Sequence, residues 1–167
     1  AVAVSDIISG KTLAATVYNP ALDQLFEAST DTPACLNGKI IKVSSNTKLT
    51  DSLVLTGFCH HVDADSIEVK AFTNISSESA GTRRSGSASL DICYVAAGFA
   101  DAYYHFELKP WDTLAASFIV EKAGGVTTNI GSDNYRSNIC SIIASNGNCH
   151  REISKRLNET IKIGSKV

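Results

Sequence analysis

Between the Lys109-Pro110 step and the Gly124-Gly125 pair, Trp111, Leu114, Ala115, Phe118 and Ile119 recur at i, i+3, i+4, i+7 and i+8. That spacing is one apolar face of a helix, opened by a proline and stopped by glycine. A strand-like run over 101–107 precedes it and a second, over 139–144, follows. Upstream, Leu90, Ile92, Cys93, Val95, Ala96 and Ala97 are dense enough for a helix buried on several sides, with Gly98 as its C-terminal cap. An apolar run over 52–57, a weaker amphipathic helix over 65–72 and a terminal stripe of Ile153, Leu157 and Ile161 complete the pattern. The polar stretch from 73 through Ser79 reads as a loop. Strands alternating with helices require layers, so the fold class is α/β or α+β.

The first 43 residues follow a different period. Val2, Val4 and Ile7 precede Ser9-Gly10, and Leu13 to Tyr18 precede Asn19-Pro20; a strand over 24–28 and an Asn37-Gly38 turn lead into Ile40 to Val43. Short strands separated by such turns form an antiparallel meander. The expected division is therefore 1–50 as meander and 51–167 as an α/β domain. With 167 residues at 44% hydrophobic content, the chain can bury one sizeable core.

A net charge of -2, with both signs dispersed, offers no electrostatic footprint for nucleic acid or an anionic membrane. No apolar stretch approaches the roughly 20 residues that cross a bilayer, and no signal-peptide pattern is present, so a cytoplasmic protein is expected. The five cysteines contain no C-x-x-C pair, which argues against a zinc site or a disulfide framework. The chain begins at Ala1 and has no methionine, as expected of part of a longer polypeptide.

Two places suit chemistry. A helix starting near Gly86-Ser87-Ala88 would point free amides and its positive end outward, where an anion such as phosphate can bind; Ser87 or Ser85 acting only as a cap explains the same residues. Asp112, at the head of the next helix, is a carboxylate suited either to capping or to a hard cation such as Mg2+. Cys59-His60-His61 with Asp63 and Asp65 forms a weaker ligand candidate in an exposed turn. Asp91 reads as a buried, hydrogen-bonded carboxylate rather than a catalyst. Arg83 and Arg84 suit an anionic substrate or a protein contact.

The run Gly81-Thr82-Arg83-Arg84-Ser85-Gly86-Ser87-Ala88-Ser89-Leu90-Asp91, then Tyr94-Val95-Ala96-Ala97-Gly98, then Leu108-Lys109-Pro110-Trp111-Asp112 resembles the inositol monophosphatase family. Ala123-Gly124-Gly125-Val126 and Ala144-Ser145-Asn146 fall where that family has them. The resemblance implies a layered α-β-α-β-α fold, of which this chain would be the carboxy-terminal part and the meander a remnant of the amino-terminal sheet. It also implies hydrolysis of small phosphomonoesters by a Mg2+-activated water. Asp112 then corresponds to a metal ligand, and Gly86, Ser87, Ala88, His105 and Asp112 to the substrate-binding set. His105 stands where many members carry a glutamate that reaches a sugar or inositol hydroxyl. Members are commonly homodimers, so a homodimer is expected.

Two departures alter packing: Thr113-Leu114-Ala115-Ala116-Ser117 replaces the family's x-Ala-Ala-Gly after Trp-Asp, and Lys122 stands where the family usually has glutamate. A larger departure is that the 167 residues contain neither Gly-Glu-Glu nor Asp-Pro-Ile-Asp-Gly-Thr, the segments that supply the remaining metal ligands in the family. No catalytic residue is therefore assigned within the chain, and the chain alone is expected to be inactive. Alternatives are a non-catalytic interaction or regulatory domain, or a phosphatase acting on fructose 1,6-bisphosphate, histidinol phosphate or 3'-phosphoadenosine 5'-phosphate.

Overall fold

The computed structural model describes residues 2–5, 11–59 and 62–164. Ile7, the Ser9-Gly10 turn, His60 and His61 lie outside the described residues.

Five strands, β1 (Val2–Ser5), β2 (Thr12–Asn19), β3 (Gln24–Ser29), β4 (Cys35–Leu36) and β5 (Lys39–Ile40), pair antiparallel in chain order. The register sets Val17 opposite Phe26 and Ala15 opposite Ala28, and all four are buried. The β4–β5 connection is the Asn37-Gly38 turn, with φ of 50° and 75° at its two central residues, the conformation a two-residue hairpin needs. The Asn37 side chain secures it, accepting from the Leu25 N–H at 2.7 Å and donating to the Asp23 carbonyl at 2.7 Å. The expected strand through Val43 stops at Ile40. Beyond it the Ile41 N–H turns back to the Ala34 carbonyl at 2.9 Å and the Val43 N–H reaches the Ala123 carbonyl at 3.3 Å, so the chain leaves the sheet.

The rest builds a second sheet with helices on both faces. In chain order it comprises β6 (Leu53–Thr56), α1 (Ile67–Glu78), β7 (Gly81–Arg83), α2 (Ala88–Ala96), β8 (Ala102–His105), α3 (Pro110–Lys122), β9 (Val126–Thr128), β10 (Ile142–Ser145) and α4 (His150–Gly164). The strand order is β7-β6-β8-β10-β9. β6 runs parallel to both β7 and β8, and β10 antiparallel to both β8 and β9. Both faces of this sheet are covered. Leu55, Tyr103, Ile142 and Ala144 join α2, α3 and the meander's Ala15, Val17, Phe26 and Ala28 in one core. Val54, Ala102, Tyr104 and Ile143, the alternate residues, pack with Ala71 and Ile75 of α1 and Ile153 and Leu157 of α4 in another. The layers are sheet, helix pair, sheet, helix pair, a mixed α/β architecture. Among the described residues no helix is long and apolar enough to cross a membrane.

Three expectations need correction. The segment 73–78, read as loop, is helical because α1 lies against α4: Ile75 is fully buried, Asn74 donates to Thr160 at 2.9 Å, and Arg156 pairs with Glu78 at 2.7 Å. These contacts outweigh the weak helix propensity of its serine and asparagine residues. The strand expected from Ile139 begins at Ile142, and Ile139 is exposed. On α3, Trp111 is 73% exposed, whereas Thr113, Ala116, Ser117 and Val120 are buried. A helix held between two sheets buries more than one stripe, so the single apolar face expected there does not describe it.

Candidate active site

Because β7, β6 and β8 are parallel, their carboxy-terminal ends share one edge, the edge where open α/β sheets place ligands. The segments leaving these strands converge there. Gly57, Phe58 and Cys59 after β6, Arg84 with Gly86-Ser87-Ala88 after β7, and His105 to Lys109 after β8 line a cleft of about 630 Å³ with Asp91 and Asp112.

The start of α2 faces this cleft. Gly86 has φ of +105°, and a Cβ on it would meet no protein atom, so its backbone conformation rather than crowding calls for glycine. Ser87 occupies the cap position in an extended conformation, but its side chain makes no capping bond. The first-turn amides of α2 thus remain directed to the cleft without a side-chain cap, a favourable place for an anion.

Asp91 hangs from the first turn of α2 and is 1% exposed. As expected for a buried carboxylate it is hydrogen-bonded, accepting from the Ser85 hydroxyl. Burial pushes its pKa up to about 6, against the opposing pull of the Ser85 hydroxyl and amide.

Asp112 is the third residue of α3 rather than its cap; Lys109 holds the cap position and Pro110 and Trp111 precede the aspartate. Its Oδ2 accepts from the Lys109 N–H at 2.9 Å. Its own carbonyl accepts from the Ser89 hydroxyl at 2.8 Å, which ties the first turn of α3 to the first turn of α2.

His105 ends β8, only 6% exposed, with its ring stacked on Tyr103 at a centroid distance of 6.4 Å. Nδ1 accepts from the Glu107 N–H at 3.0 Å. Burial lowers its pKa, partly opposed by the carboxylates of Glu68, Asp112 and Glu107. Gly57 is packed against the ring: a Cβ there would sit 2.6 Å from Cδ2 and 2.9 Å from Nε2.

The five residues expected to bind substrate, Gly86, Ser87, Ala88, His105 and Asp112, therefore share one cleft. The arginine pair separates: Arg84 lines the cleft with its guanidinium 5.6 Å over the Phe58 ring, whereas Arg83 folds back onto the Thr82 carbonyl. Of the Cys59 ligand candidate, His60 and His61 lie outside the described residues. Asp63 and Asp65 are exposed in the turn before α1, and no cluster of three or more metal-ligating side chains occurs among the described residues. Cys59 instead donates to Glu107 at 3.2 Å, and burial with Glu68 and Glu107 nearby pushes its thiol up to about 12. Gly57, Phe58 and Tyr103 line the cleft without having been singled out. The only sequence signal is position, at the end of an apolar run for Gly57 and Phe58 and within one for Tyr103.

The inositol monophosphatase family model matches residues 1–164. The chain is 37% identical over 145 residues to an inositol-1-monophosphatase of Synechocystis, covering 86% of this chain and 50% of that protein. It is 33% identical over 156 residues to the Nus factor SuhB of Pseudomonas aeruginosa, covering 92% and 58% respectively. The structure of inositol monophosphatase from Anabaena superposes with a TM-score of 0.85 at 32% identity, over 94% of this chain and 63% of that one. The chain thus spans about half the length of the two curated relatives. A match along nearly its whole length, in sequence and in structure, establishes that the chain belongs to the inositol monophosphatase family.

Proposed function

We propose that the protein hydrolyses small phosphomonoesters with the help of Mg2+, and that this chain forms one wall of the active site. The observation that carries the reading is the meeting of α2's first-turn amides and the Asp112 carboxylate in one cleft, joined by the Ser89 to Asp112 bond. The amides would hold the phosphate oxygens, and α2's dipole would favour their charge. A hard, oxygen-preferring cation fits the donors present, with Asp112 as the protein ligand and Asp91 nearby as a hydrogen-bonded carboxylate. When bound, Mg2+ supplies Lewis-acid stabilisation of the phosphoryl group and a more acidic water. Asp112, held by the Lys109 N–H, presents its carboxylate without a search through rotamers. One such carboxylate is too few to hold Mg2+ firmly, so the remaining ligands would come from outside these 167 residues.

The test is phosphate release from inositol 1-phosphate and related monoesters, with and without Mg2+, by a polypeptide containing these residues. Asp112→Asn is expected to lower kcat/KM by about a hundredfold or more. The 167-residue chain alone is expected to release negligible phosphate. Mg2+-dependent release from the chain alone, lost in Asp112→Asn, contradicts the one-wall reading. A second reading, a non-catalytic interaction role, draws on the relative named a Nus factor; absence of hydrolysis by the longer polypeptide on every monoester favours it.

A further inference from the structure

Asp91 is a charge placed where the fold resists it. It is 1% exposed, and among the described residues no cation pairs with it. Burial opposes its ionisation, yet with a pKa of about 6 it carries its charge at neutral pH. A neutral residue of similar size would cost the fold less, so the reason for the carboxylate lies in what it holds.

What it holds is the entry to α2. Ser87 is the cap and Asp91 the fourth helical residue. An acid in the first turn ordinarily reaches back to the free amides of its own helix. Asp91 passes over them: it accepts from the Ser85 hydroxyl, two residues ahead of the cap, and the Ser85 amide also favours its charged form. Its own N–H donates to the Ser87 carbonyl at 2.9 Å. Asp91 is thus tied to both sides of Gly86, the residue at φ +105° that brings no side chain to restrain the turn. The Ser87 side chain adds no cap bond of its own. The first-turn amides are thereby left for a ligand while the turn that aims them is held.

We propose that Asp91 is a positioning residue for phosphate binding: tied to Ser85 and Ser87, it fixes the Gly86 turn and so the aim of the amides at the head of α2. The assignment rests on the phosphomonoesterase reading and adds what orients the phosphate. Misplacing such a cradle by about an ångström costs on the order of a hundredfold.

Inorganic phosphate is the probe. In the 15N-labelled 167-residue protein it is expected to shift the Ser87, Ala88 and Ser89 amide resonances. Asp91→Asn offers one accepting oxygen where the carboxylate offers two; at pH 7.5 it should weaken phosphate binding by about tenfold or more while raising the urea midpoint. Those opposite directions separate positioning from a structural role, which would lower affinity and midpoint together. Ser85→Ala, which removes the hydroxyl, should also weaken phosphate, and Ser85→Thr, which returns it, should restore the parent's affinity. Phosphate that leaves the three amides unmoved, an affinity unchanged in both Asp91→Asn and Ser85→Ala, or affinity and midpoint falling together in Asp91→Asn overturns the proposal. In the longer polypeptide with Mg2+, Asp91→Asn should raise KM for inositol 1-phosphate more than it lowers kcat. Hydrolysis with KM unchanged in that variant sinks this inference alone. Hydrolysis of no monoester, with phosphate affinity still lost in Asp91→Asn, sinks the phosphatase reading and leaves Asp91 as the residue that aims an anion cradle.

Discussion

Replacing Asp91 with asparagine removes a charge from a place that resists it. The carboxyl ordinarily titrates at 3.8 and in the fold at about 6. A raised carboxyl pKa means the folded state holds its proton more tightly than the unfolded chain. Stability is thus greatest below pH 3.8, falls between 3.8 and about 6, and above about 6 carries the full penalty, on the order of 3 kcal/mol. Asparagine keeps a carbonyl acceptor for the Ser85 hydroxyl but loses the stronger bond to a charge, worth about 1 kcal/mol. Asp91→Asn should therefore raise stability by about 1–2 kcal/mol at pH 7.5 and be neutral or slightly destabilising at pH 3.5. Urea denaturation followed by circular dichroism at the two pH values measures both differences. A variant less stable than the parent at pH 7.5, or one whose difference is the same at both pH values, would refute the electrostatic reasoning.

Gly125→Ala should destabilise the fold by about 1–3 kcal/mol, read as a lower urea midpoint. Its Cβ would lie 2.6 Å from the Ser145 carbonyl oxygen and 2.6 Å from Val120 Cγ1, and the backbone oxygen has no room to yield; an unchanged midpoint contradicts this. Gly57→Ala acts on the cleft instead: its Cβ, 2.6 Å from His105 Cδ2, must push the ring aside. Substrate kcat/KM in the longer polypeptide should then fall on the order of tenfold to a hundredfold, and full retained activity would show that the ring's position does not matter.

Features fixed within a few residues were legible in the sequence. The Asn37-Gly38 turn needs two positive φ values, and those two residue types tolerate them. The stripe of Ile153 and Leu157 declares α4, and the apolar density ahead of Gly98 declares α2, where Gly98 has φ of 71°. Family motifs brought Gly86, Ser87, Ala88, His105 and Asp112 to attention, and the fold sets them in one cleft. Features that depend on distant partners were not legible. The mostly polar segment 73–78 stays helical because Ile75 is buried against α4 and Thr160 and Arg156 of α4 meet Asn74 and Glu78. Gly57 and His105 meet because β6 and β8 are parallel neighbours separated by a helix, a strand and another helix, and nothing local in either segment announces that pairing. Asp112 looked like a cap because a carboxylate at the third helical position draws on the same orphan amides as one at the cap itself.

The Ser89 hydroxyl that reaches the Asp112 carbonyl works as the fixed leg of a caliper. One jaw is the ring of amides at the head of α2 and the other is the carboxylate at the head of α3. Both helices are wedged between the sheets, so the gap between jaws is set by the same interior that keeps the molecule folded. Sites mounted on loops drift as the loops move, but this spacing can change only by shifting two helices together. Fine adjustment of what the cleft accepts therefore falls to the residues around the jaws, the buried His105 and Tyr103 among them.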